Sequence, residues 1–82
     1  MHDFHELASH YLLLVEGGPP SNYSVWSPDV PGCVATGSTV DEAEFEMRAA
    51  LEFHLEGLAA DGLALPAATG PGVYVERGQS AA

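Results

Sequence analysis

The sequence predicts an α+β fold of β-β-β-α-β order, with one long helix packed on a small, mostly antiparallel sheet. Three observations carry this. Three short segments of strand character, separated by Gly- and Pro-rich turns, fill residues 11–36. The stretch from about Val40 to Ala60 repeats its apolar residues at helical spacing. A fourth strand-like segment follows a loop rich in Ala, Pro and Gly.

The first ten residues are polar, but Phe4, Leu7 and Ala8 stand at helical spacing and suggest a short N-terminal helix. Residues 11–16 are apolar on both faces and suit a central strand. Gly17 to Asn22 is a turn by composition. Tyr23 to Ser27 alternates with period two and reads as the second strand. Alternation puts Trp26 on the face opposite Tyr23 and Val25, either in the core or as an anchor on a candidate interface. Pro28-Asp29-Val30-Pro31-Gly32 reads as a stiff bend, because each proline fixes φ and lacks a donor. Gly32 permits positive φ there, and Asp29 is expected to cap the bend through its side chain. Cys33 to Thr36 is the third strand and Gly37-Ser38 a second turn.

The helix is the clearest element. Thr39 is its expected N-cap, and Glu42 completes a Thr-x-x-Glu capping box. Asp41, Glu42 and Glu44 complement the helix dipole, and Asp61-Gly62, with Pro66 beyond, provides the stop. Val40, Ala43, Met47, Ala50, Leu51, His54 and Leu58 fall on one face, expected to meet the sheet. His54 on that face reads as a core histidine satisfied by a neighbour. Phe45, Ala49 and Phe53 form a second stripe, flanked by Glu46, Glu52 and Glu56. They either pack under the N-terminal segment or the C-terminal loop, or form a self-association or partner surface. Residues 72–76 are the fourth strand, and Gln79 to Ala82 should fray.

A chain of 82 residues fits a single domain spanning 1–82, with a thin core that buries about 60–65% of the unfolded surface. One helix covers one sheet face, so the other face needs the N-terminal segment or a second subunit. A homodimer or higher homo-oligomer is expected on those grounds. Cys33 is the sole cysteine, so there is no disulfide, and it reads as a small buried hydrophobe. Neither an apolar run of about 20 residues nor a basic-then-apolar leader is visible, which predicts a cytoplasmic protein with no membrane role. Twelve carboxylates face two arginines, Arg48 and Arg77, with no lysine, for a formal charge of −10. Such a surface repels phosphate backbones, so direct nucleic-acid binding by this chain alone is not expected. It suits a basic protein partner, or serves solubility alone.

No nucleophile triad, phosphate-cradling loop or paired-cysteine motif occurs, and the chain is not expected to be an enzyme. Nuclease chemistry of the RNase H type needs carboxylates converging on two metal ions. Here the first strand offers only Glu16, and the last only Glu76. His2, His5 and His10 lie beside Asp3 and Glu6, but at a terminus and without partners elsewhere, so neither a metal nor a cofactor is expected.

The pattern Tyr23-x-Val25-x-x-Pro28-Asp29-x-Pro31-Gly32-Cys33, followed by Gly37-x-Thr39-x-x-Glu42-Ala43, resembles the HicB antitoxin family. The stretch from Ala50 to Leu58 and the spacing of Gly62 and Pro66 are similar as well, so the likeness covers about residues 11–75. The resemblance implies a partly RNase H-like β-β-β-α-β unit and a role in a toxin–antitoxin pair. There the antitoxin binds a small basic ribonuclease toxin, HicA, and hides its catalytic histidine. Family members often add a C-terminal helix-turn-helix or ribbon-helix-helix module. This chain shows neither, and is expected to act as a stand-alone N-terminal-type domain. The expected partner-binding residues are Trp26, Asp29, Glu52, Phe53 and Glu56, and the expected self-association residues are Phe45, Ala49 and Phe53. The alternative reading is an orphan small-molecule or metal-binding accessory domain, or a nuclease remnant of the RNase H-like type.

Overall fold

A computed structural model describes residues 3–75. Its elements are α1 (Phe4–Ala8), β1 (Leu12–Gly17), β2 (Tyr23–Ser27), β3 (Val30–Gly37), α2 (Val40–Ala60) and β4 (Gly72–Val75). The strands form one mixed sheet in the order β3-β2-β1-β4, antiparallel except for the parallel β1–β4 pair. The fold is α+β, as expected. The parallel pair needs a crossover, which α2 and the following loop supply. Glu76, Arg77 and the C-terminal residues expected to fray lie outside the described residues, as does His2.

The strand period of two sorts side chains between two faces. Leu13, Val15 and Val25 point at α2 and are fully buried. Ala43, Met47, Leu51 and Leu55, spaced by four, close on them from the helix. Burying one such aliphatic side chain is worth about 1.5–3 kcal/mol. The buried line is rotated from the expected one. Leu55 takes a core place, whereas His54 is half-buried and faces a groove, not a core partner. Val40, Ala50 and Leu58 flank the core.

The third strand is longer than expected. Val30 pairs with Ser27, so Pro28 and Asp29 form the turn of a tight hairpin, with a register shift between Trp26 and Ser27. β3 is the sheet edge, where one row of backbone groups has no ladder partner and proline is tolerated. Gly32 takes a φ of +89°, open only to glycine at low cost. Gly37, expected to be a turn residue, ends β3 with ordinary φ and is needed for another reason. A Cβ there would stand 2.8 Å from the Ala43 Cα and collide with the first turn of α2.

The helix begins and ends at its expected residues. The Thr39 side chain accepts from the Glu42 N–H at 3.0 Å. Glu42 returns the contact one residue earlier than a standard box, accepting from the Ser38 N–H at 2.6 Å and its hydroxyl at 2.7 Å. These hydrogen bonds, the hydroxyl's first, lower the Glu42 pKa. At the other end Gly62 (φ +73°) donates to the Ala59 carbonyl, and Leu63 donates to that of Leu58, completing a Schellman motif.

The short helix α1, capped by Asp3, packs on α2 and not on the opposite sheet face. Arg48 fixes it there. Its guanidinium donates to the Ala8 carbonyl at 2.7 Å and the Tyr11 carbonyl at 2.8 Å, while Glu44 stands 3.8 Å away. Burial lowers the Arg48 pKa and Glu44 opposes the shift. Tyr11 is buried, and its hydroxyl donates to the Pro66 carbonyl. Burial, with a smaller push from Asp29, raises its pKa and keeps it a donor. No helix among the described residues is long and apolar enough to cross a membrane.

Candidate functional site

Helical spacing collects the outer face of α2. With the buried line of Ala43, Met47, Leu51 and Leu55 turned inward, Phe45, Ala49 and Phe53 turn outward. Phe45 is 69% exposed and Phe53 78%. They pack under neither α1 nor the loop before β4, which settles one of the two sequence readings against packing. Asp41, Glu46 and Glu56 lie exposed around the two rings. Glu52 sits at the border with α1, where its carboxylate is 3.3 Å from the His5 Nδ1. Arg48 is the only Lys or Arg among the described residues, and it is turned inward to backbone carbonyls. The outer face therefore presents carboxylates and phenyl rings with no guanidinium or ammonium to balance them.

The expected partner-binding residues do not share one surface. Glu52, Phe53 and Glu56 stand together on α2. Trp26 is half-buried on the sheet face turned away from α2, since its neighbour Val25 points at the helix. Asp29 sits at the β2–β3 turn, half-buried, and its carboxylate accepts from the Thr69 N–H at 3.0 Å and the Thr69 hydroxyl at 3.1 Å. It does not cap its own bend. The Ser27 hydroxyl does that by accepting from the Asp29 N–H at 3.3 Å, while Asp29 ties the hairpin to the loop before β4.

An open groove of about 450 Å³ runs between β3 and α2, lined by Cys33, Val34, Phe53, His54, Leu58 and Asp61 among others. Cys33 is buried and unpaired in its wall, and desolvation raises its thiol pKa. Asp61 is the one carboxylate lining the groove. Among the described residues no group of three or more His, Cys, Asp or Glu side chains is placed to hold a metal ion. His5 and His10 sit apart, near Glu52 and Glu6 respectively. Glu16 is exposed at the end of β1. The long-range roles of Arg48, Gly37 and Asp29 were absent from the sequence reading. The placement of Arg48 among apolar helix positions was the one available signal.

The frame is that of an acidic α+β module whose long helix presents a charged aromatic face. Residues 11–78 match the family described as the HicB_like antitoxin of bacterial toxin-antitoxin system, and the chain belongs to that family. It is also similar to an uncharacterized 14.9 kDa protein of Haemophilus phage HP1, encoded in the rep-hol intergenic region. The two are 46% identical over 44 residues, a stretch covering 54% of this chain and 33% of the phage protein. The match thus spans about a third of that relative's length. No solved structure matches the chain.

Proposed function

We propose that this domain is the antitoxin of a toxin–antitoxin pair, binding a small basic mRNA-cleaving toxin of the HicA type and covering its active site. It works by occlusion and catalyses no reaction. The observation that carries this reading, beside the family, is the outer face of α2. There Glu46, Glu52 and Glu56 surround Phe53, with no lysine or arginine of the described residues beside them. A field of one sign draws an oppositely charged partner from a distance, and an exposed ring supplies the apolar anchor once contact is made. The pair operates in the cytoplasm, where the toxin finds mRNA.

The test is binding kinetics against the basic toxin encoded beside this chain, at two salt concentrations, together with toxin cleavage of RNA. Association should slow as salt rises, because exposed charges are screened beyond about 8 Å at physiological ionic strength. Glu52→Gln with Glu56→Gln should slow association several-fold and leave the fold intact. Phe53→Ala should act mainly by speeding dissociation. Binding indifferent to salt and to all three substitutions removes the α2 face from the interface.

A further inference from the structure

The sheet has a second face, and it differs in chemistry from the helix face. The register places Val34, Trp26, Leu14 and Tyr74 side by side across all four strands, on the side away from α2. Val34 is 62% exposed and Tyr74 63%, with Trp26 and Leu14 half-buried between them. Leu12, Ser24 and Thr36 continue the same face. Among the described residues, Glu16 is its one charged residue, at one end. A chain of net charge −10 thus keeps one broad surface nearly neutral and apolar.

We propose that this open sheet face is where a second copy of the chain docks, sheet against sheet. The charge distribution selects the occupant. A basic partner finds nothing to attract it here and a carboxylate-rich field on α2. Two copies meeting through α2 would instead bring Asp41, Glu46, Glu52 and Glu56 of each against those of the other. The sheet face is where two such chains touch with the fewest like charges between them. Trp and Tyr are also side chains enriched where interfaces bury their contacts.

Area sets the strength. Four strands about 4.8 Å apart and about five residues long give a plan area of roughly 300 Å², against about 800 Å² per partner for a standard interface. Side-chain relief adds to the plan area, and the interface still falls in the small, transient class. The dimer should therefore be weak and concentration-dependent.

The experiment is sedimentation equilibrium of the full chain from about 10 to about 500 µM, a range suited to a small interface, at low and high salt. Emission of Trp26, the chain's single tryptophan, is followed in parallel. A monomer–dimer equilibrium should appear, and Trp26 emission should shift to the blue as the dimer forms. Added salt should tighten the dimer by screening the −10 charge of each copy. Val34→Glu and Tyr74→Glu each put a carboxylate from either copy into the interface and should weaken it roughly tenfold or more. Tyr74→Ser gives a milder loss and serves if a glutamate variant is unstable in thermal unfolding. Phe45→Glu, on the outer face of α2 and outside the groove that Val34 and Phe53 both line, should leave the dimer unchanged. A monomer at the highest concentration and salt overturns the proposal. So does a dimer that survives the sheet variants, or one that Phe45→Glu breaks. Toxin binding is unaffected by the first of these results, so this inference and the proposed antitoxin role fail separately.

Discussion

The outer face of α2 and the open face of the sheet both expose aromatic rings, and they differ in what surrounds those rings. Phe45 and Phe53 stand among carboxylates, whereas Trp26 and Tyr74 stand among Val34, Leu14, Ser24 and Thr36. The lesson is that exposed apolar area does not by itself name a partner. The charge around it decides the sign of the long-range force, and so whether salt weakens or strengthens the contact. One chain can then hold two interactions apart by giving them opposite salt responses.

Both faces depend on how α1, α2 and the sheet are joined, so variants at the joints sharpen the comparison. Arg48→Met should have the largest effect, a loss of about 3 kcal/mol in chemical unfolding. It removes hydrogen bonds from a charged donor to the Ala8 and Tyr11 carbonyls, each worth about 1.5–3 kcal/mol, and keeps most of the stem's packing. Salt-dependent toxin binding and dimer formation should then disappear together at a lower denaturant concentration. If hydrogen exchange instead shows opening confined to α1, the two faces rest on separately stable parts. Gly37→Ala comes next, at about 2 kcal/mol, since the added methyl must push β3 from the start of α2. Unchanged stability there would mean that the helix start moves freely relative to the strand.

Thr39→Ala should cost about 1 kcal/mol, as the Glu42 N–H loses its acceptor. The smallest effect is with pH. The folded-state pKa of Glu42 lies below its usual value because the ionised carboxylate accepts from Ser38. Its contribution is present above the unfolded value of about 4.3 and is lost as pH falls through the lower folded value. Unfolding midpoints of the parent and Glu42→Gln should converge on acidification; a gap that persists below that range would contradict the cap.

Much of this architecture was legible because it is local. The bounds of α2 follow from Thr39, Glu42 and Gly62, each acting within four residues of the helix end. Strand alternation placed Val25 and Trp26 on opposite faces. Contacts between residues far apart in sequence were not legible. Asp29 and Thr69, 40 residues apart, meet only once the hairpin and the last loop are in place. Gly37 resembles any turn glycine until α2 arrives against it. The inward turn of His54 in place of Leu55 came from a helical wheel that treats its neighbours as equal, whereas the sheet lies closer to Leu55. That Trp26 and Phe53 stand on different surfaces was likewise not legible, as periodicity assigns faces within an element and not between elements.

The inward guanidinium of Arg48 has a consequence for proteolysis. Trypsin cuts after arginine or lysine, and this chain has no lysine and two arginines, Arg48 and Arg77. The Arg48 peptide bond is in the middle of α2, and its side chain is held by two carbonyls. A protease must unwind the helix and release that side chain before it can bind the bond. Cleavage after Arg48 therefore reads out opening of the helix–sheet core itself, and its rate should follow the population of the opened form when reclosing is fast. A bound partner that stabilises the fold would protect this single peptide bond without touching it.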